Sequence, residues 1–410
     1  MTIKLTHYAS LLPLACGQIT RDSARMIACR LAPLLARSTK SIFLLGPRQT
    51  GKSTLAAQLS PDVVINLFHE PTYLEFARNP RELEERLAPL PSEGRHSTIL
   101  IDEVQRLPSL LNTVQVLLDR AGPKPRFLLT GSSARKLRRG QANLLPGRVH
   151  TYYLGPICAA EMGYRLDTRQ ALATGTLPGV LIERDPQERH KTLRSYAATY
   201  LKEEVQAESL SRNLEGFARF LGIAADWAGH HLDLSKLAAA AQVPRQSATR
   251  YFEILEDTLV VQRTSPFTRS SGRRLVQHPK YYFFDVGVRN GLLGSFDVSS
   301  DRIGSLFEQL FAAQLAAGAA AADTEIRISS YRTEHGAEVD FIVERGRDLW
   351  AIELKASRQV NSGDLRGLRS FAEYYGKKHA ALVLYLSEEA RRVDGTDVLP
   401  WQQGLRSMGL

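Results

Sequence analysis

The 410-residue sequence predicts an α/β protein: a parallel-sheet domain, a helical stretch, and a second, smaller α/β unit. Three observations predict it. Short apolar runs recur between charged helical stretches, the rhythm of buried parallel strands alternating with crossover helices. The run at 42–45 breaks at Gly46 into a glycine-rich turn that opens a helix. A later run, 98–101, ends in Asp102 and Glu103, and a third pair of strands near the C-terminus carries Asp340, Glu353 and Lys355.

The turn after the first strand reads GPRQTGKS over residues 46–53 and fits G-x-x-x-x-G-K-[ST] at every fixed position. Glycines let the backbone turn tightly, so that its N–H groups converge on a phosphate at a helix N-terminus. On this reading Gly46, Pro47, Arg48, Gln49, Thr50, Gly51, Lys52, Ser53 and Thr54 cradle a nucleoside triphosphate. Lys52 reaches the β- and γ-phosphates and Ser53 ligates Mg²⁺, making ATP and Mg²⁺ the expected cofactors. An accidental glycine-rich turn would not need the strand before it and the helix after it.

A second strand is expected at 63–67. PTYLEFARNPRELEERL, with Pro71 at its start, reads as helical and charged. The strand 98–101 supplies what a phosphate-loop enzyme needs next: Asp102 for the Mg²⁺ shell and Glu103 to orient or polarise the attacking water. A further strand, 127–129, ends in small polar residues, where ligands collect in open α/β sheets. Thr130, Ser132 or Ser133 could sense the γ-phosphate there. RKLRR, 135–139, is either a solvated helix face or a phosphate contact. Arg148, in LLPGRV, is either a surface arginine or an arginine finger reaching a neighbour's nucleotide, a role that requires a homo-oligomer.

Residues 185–213 read as a charged helix, lid or linker, and 217–228 as an amphipathic one. Over 232–266 the rhythm changes. A helix at 235–242, a break at Val243-Pro244, a helix at 246–256, and strands at 259–262 and 281–284 spell a winged helix-turn-helix. Arg245, Gln246, Ser247 and Arg250 would start its recognition helix. Arg269, Arg273 and Arg274 would make its wing basic, which favours DNA over a protein partner.

The last unit has a helix at 302–315 carrying Glu308, strands at 325–329, 339–343 and 349–354, a helix at 364–375 and a strand at 381–386. Residues i and i+2 of a strand share a face, so Glu353 and Lys355 point the same way, and a hairpin brings Asp340 alongside. Two carboxylates and a lysine can hold Mg²⁺ and activate water against a phosphodiester. A degenerate domain that kept this fold and lost turnover is the alternative.

Composition limits the partners. The formal net charge of +10 points to a polyanion, nucleic acid or a membrane surface. No apolar run approaches the ~20 residues that a membrane span needs, so a membrane is not expected. Three dispersed cysteines, Cys16, Cys29 and Cys158, offer no metal spacing and suit a reducing cytoplasm. Met26, ahead of a basic helix, is an alternative start.

Together these segments resemble a family of bacterial and archaeal AAA-type ATPases with a C-terminal region of unknown function. That region comprises a winged helix and a part resembling PD-(D/E)xK restriction endonucleases. The resemblance runs through GPRQTGKSTL, ILIDEVQRLP, LLTGSSARKL, LLPGRV, YLKEEV, PKYYFFDVGVRNGLL, GSLFEQL, EVDFIV and IELKAS. It implies an AAA-type domain at 26–165, a helical lid at 166–228, a winged helix-turn-helix at 229–292 and a nuclease-like domain at 298–400. It also implies nucleotide contacts at Gly51, Lys52, Ser53, Asp102 and Glu103. Glu308, Asp340, Glu353 and Lys355 become nuclease-type positions, the three carboxylates as metal ligands. Pro146 stands in LLPGRV where a small residue is expected.

Overall fold

The computed structural model describes residues 27–90, 97–120, 124–132, 145–207, 214–268, 275–276 and 278–410. Expectations for Met26, Ser133, residues 135–139, Arg269, Arg273 and Arg274 lie outside them.

Five strands form the first sheet: β1 (Ser41–Leu45), β2 (Val63–Asn66), β3 (Thr98–Asp102), β4 (Arg126–Gly131) and β5 (Val149–Tyr153). They are parallel throughout and lie in the order β2-β3-β4-β1-β5. β1 is buried along its whole length, because helices cover both faces of a parallel sheet. Its alternate side chains feed two cores. Phe43 and Leu45 pack with Ile65, Ile101 and Leu129, while Ile42 and Leu44 pack with Leu55, Leu100 and Leu128. The C-terminal ends of β1, β3 and β4 thereby come together at the point where the strand order reverses, the usual ligand position in open α/β sheets.

The stretch expected to be helical and charged after β2 forms two helices, Glu70–Arg78 and Glu82–Leu87. Pro80 disfavours helical backbone at the residue before it, and Asn79 is extended, with φ −114° and ψ 99°.

The helices Leu214–Asp226, Leu234–Ala240 and Arg245–Asp257 share one core, in which Phe217 and Phe220 pack around Tyr251. They are followed by an antiparallel pair, β6 (Val261–Pro266) and β7 (Lys280–Phe283). This pair does not stand apart as a wing. β6 also runs parallel to β8 (Arg327–Arg332) through Ser265 and Pro266, which extends the C-terminal sheet. That sheet continues with β9 (Glu338–Arg345), β10 (Asp348–Lys355), β11 (Ala380–Tyr385), β12 (Arg391–Val393) and β13 (Thr396–Pro400). Its order is β12-β13-β11-β10-β9-β8-β6-β7.

The helix Ile303–Ala321 crosses behind this sheet and also meets the end of β5. A Cβ on Gly155 would lie 3.1 Å from Ala317. On the same helix, Gln314 donates from Nε2 to Ile157 O and to Thr176 Oγ1, each at 3.1 Å, and its Oε1 accepts from Ala159 N at 2.7 Å. A fully satisfied buried amide thus stitches the first domain to the helix that carries Glu308. Among the described residues no helix is long and apolar enough to cross a membrane.

Candidate nucleotide site and C-terminal carboxylate cluster

The loop 46–51 is shaped by its own backbone. A Cβ on Gly46 would meet Leu154 O at 2.2 Å, so only glycine fits between β1 and β5 here. Gly51, at φ 93°, occupies the left-handed region just before the helix Lys52–Gln58. Thr50 Oγ1 donates to Pro47 O at 2.9 Å and closes the turn. Lys52 is buried, and its Nζ donates to Gly46 O at 2.9 Å and Pro47 O at 2.8 Å. Phosphate oxygens would have to replace these carbonyls. Burial pushes the Lys52 ammonium down to about 8, against the pull of Glu103 and Asp102. Ser53 and Thr54 are exposed at the helix start, as is Gln49 in the loop.

Ser53 Oγ donates to Asp102 Oδ1 at 3.0 Å, and Thr130 Oγ1 donates to the same carboxylate oxygen. Hydroxyl and carboxylate oxygens side by side, at the foot of a phosphate loop, are the hard donor set that suits Mg²⁺. Glu103 follows at φ 59°, a left-handed conformation for a non-glycine residue, and its N–H donates to Thr130 Oγ1 at 3.1 Å. Gln105, which sequence reasoning missed, donates from Nε2 to the Glu103 carboxylate and to Ser132 Oγ, the latter at 3.0 Å. Tyr196 OH reaches Arg48 O at 3.5 Å, placing the helix Pro186–Ala207 over the loop.

Arg148 lies elsewhere. Its Nε and Nη2 hold Asp119 of the same chain at 2.6 and 2.9 Å. A finger role would require this bidentate pair to break.

In the helix Arg245–Asp257, Ala248, Tyr251, Phe252, Ile254 and Leu255 are buried, and Arg245, Gln246 and Arg250 are exposed, with Ser247 half-buried. The polar face is turned to solvent because the apolar one is spent on the core.

The C-terminal cluster brings Asp340 on β9 beside β10, where Leu354 N donates to Asp340 Oδ2 at 2.8 Å. Burial, together with the Glu353 and Glu308 carboxylates, pushes the Asp340 acid well above the usual range. Burial raises Glu353 to about 7, against Lys355. Lys355 Nζ sits 3.0 Å from Glu353 Oε1 and 3.4 Å from Asp364 Oδ1. A residue absent from the sequence expectations dominates the rest. Lys280, on β7, is buried, and its Nζ lies 3.0 Å from Glu308 Oε1 and 2.9 Å from Glu338 Oε1. Tyr282 OH also donates to Glu308, at 2.6 Å.

Of the three carboxylates expected as a metal set, Glu308 is also held by the Lys280 ammonium and the Tyr282 phenol. Among the described residues no group of three or more His, Cys, Asp or Glu side chains is arranged to hold a metal ion. The signal that could have found Lys280 is a lone cation opening an otherwise apolar strand, Lys280–Phe283.

The first sheet and its loop define a P-loop nucleotide-binding domain. Residues 38–163 match the AAA domain family, 165–299 match a domain of unknown function (DUF8612), and 303–403 match another (DUF4143). The chain is 29% identical over 347 residues to two uncharacterized mycobacterial proteins, Rv2008c of Mycobacterium tuberculosis and Mb2031c of Mycobacterium bovis. Each alignment spans 83% of this chain and 75% of the relative. Among solved structures, a DNA polymerase III gamma subunit-related protein from Thermotoga maritima matches at 12% identity and a TM-score of 0.26. That match covers 56% of this chain and 97% of the other. A signal transduction ATPase with a tetratricopeptide repeat sensor, from Pyrococcus horikoshii, matches at 15% identity and a TM-score of 0.22. It covers 70% of this chain and 45% of the other. At these scores the structural likenesses are too slight to carry a conclusion.

Proposed function

We propose that the chain is a cytoplasmic, ATP-hydrolysing AAA-type protein that grips DNA through the helix Arg245–Asp257. The observation that carries the ATPase reading is the convergence of Lys52, Ser53, Asp102, Glu103 and Ser132 at the ends of three adjacent strands. Ser53 and Asp102 would hold Mg²⁺, which would supply positive charge against the phosphate oxygens. Lys52 binds those oxygens in place of Gly46 O and Pro47 O. Glu103 accepts the proton of the attacking water, and Ser132 or Thr130 marks the γ-phosphate position. Free thiols at Cys29 and Cys158 fit a reducing compartment.

The DNA reading is supported by the formal charge of +10 and by the exposed Arg245 and Arg250 on one helix. Replacing both arginines with alanine should weaken binding to duplex DNA and lower its salt slope by about one unit per lost phosphate contact. Both side chains are exposed, so the fold survives. Titrations at several salt concentrations measure this, and unchanged affinity in the double variant would favour a protein partner.

For the C-terminal domain one observation favours the second reading, a nuclease-like fold without turnover. Lys280 supplies Glu308 and Glu338 with the positive charge that a metal would otherwise provide. The wild-type chain should then cleave no linear, single-stranded or branched DNA in Mg²⁺ or Mn²⁺, with or without ATP. Cleavage that disappears in Asp340→Ala, Glu353→Ala or Lys355→Ala would contradict this.

A further inference from the structure

We propose that Gln105 is a positioning residue of the hydrolytic site: its amide fastens the Glu103 carboxylate to the end of β4. The inference rests on the ATPase reading and deepens it.

The hydrogen bonds fix which way the amide faces. A carboxylate only accepts, so the group that Gln105 turns to Glu103 is its NH₂. That NH₂ donates to Glu103 and, at 3.0 Å, to Ser132 Oγ. The carbonyl is thereby thrown to the other side, where Gln105 Oε1 is buried and has no hydrogen-bond partner among the described residues. An unpaired buried carbonyl is costly. Gln105 accepts this state although its side chain is only 6% exposed and could have been an apolar residue of the same size. The gain lies with Glu103. Its N–H is held by Thr130 on β4 and its carboxylate, through Gln105, by Ser132 just beyond it, so both ends of the residue are tied to one segment. This double tether accounts for a glutamate kept in the left-handed region.

Gly131 makes room for the arrangement. A Cβ there would lie 2.9 Å from Gln105 Oε1. Gly131 O in turn accepts from Gly46 N, the first residue of the phosphate loop, at 3.3 Å. The strand that aims Glu103 is therefore also hydrogen-bonded to the loop that holds the phosphates.

The test uses the full chain with Mg²⁺, ATP turnover and binding of a fluorescent ATP analogue. Gln105→Leu is one bond shorter, puts an apolar side chain in the buried position and removes both donors. Its kcat should fall about tenfold to a hundredfold, the usual loss when the partner of a reacting group's ligand is removed. Its Kd for the analogue should stay within about twofold of wild type, because the interaction acts on the transition state and not on ground-state binding. Gly131→Ala should lower kcat by displacing Oε1 without deleting any polar group. The double variant should be no slower than the slower single one, since the two changes break one unit. An active wild type with an equally active Gln105→Leu, or losses that multiply in the double variant, overturns the inference alone. A wild type that does not turn over ATP overturns it together with the ATPase reading.

Discussion

Lys52→Ala should lose ATP affinity by about 2–5 kcal/mol, at least thirtyfold in Kd. The side chain is the one buried cation inside the described loop, and alanine leaves the phosphate charge facing a desolvated pocket. The same group sets a pH dependence. Burial holds the free ammonium down to about 8, and phosphate oxygens bound to it raise that value. The charged form favours the complex, so affinity is fully present below pH 8 and declines as pH rises past it, with proton uptake on binding. Calorimetry at pH 7 and pH 9 in buffers of different ionisation enthalpy measures both. Lys52→Ala should show neither the pH dependence nor the uptake.

Glu103→Gln should have a larger effect on turnover and almost none on binding. Glutamine has nearly the shape of glutamate but cannot accept the water's proton, and loss of a general base costs about 10²- to 10⁴-fold. It also changes the contact with Gln105, because one amide NH₂ then meets another group that can donate. The variant should hold ATP for many wild-type turnover times. Single-turnover measurements separate this from slow product release, and a variant that turns over at the wild-type rate would remove Glu103 from the mechanism.

Much of the nucleotide site was legible because its determinants are local. Gly46, Gly51, Lys52 and Ser53 are set by one turn, and Asp102 and Glu103 end one apolar strand. The helix Arg245–Asp257 was legible from the break at Val243-Pro244 and its amphipathic pattern. What escaped the sequence depends on contacts between distant elements. Gln105 stands two residues beyond Glu103, and nothing in its spacing says that Glu103 turns left-handed and brings the two side chains together. Lys280 meets Glu308 and Glu338 only because β6 pairs with β8, which makes the expected wing part of the C-terminal sheet. Without that pairing, Glu308, Asp340 and Glu353 read as a ligand set. With it, one carboxylate is taken by an ammonium from a strand that the pattern assigned to another module. Arg148 shows the same limit: LLPGRV does not reveal that Asp119 is within reach.

The most direct test is release of inorganic phosphate from ATP by the purified full chain in Mg²⁺, wild type and Lys52→Ala side by side. Steady release by wild type and background release by Lys52→Ala is the predicted result. Equal rates from the two proteins would contradict the account at its centre.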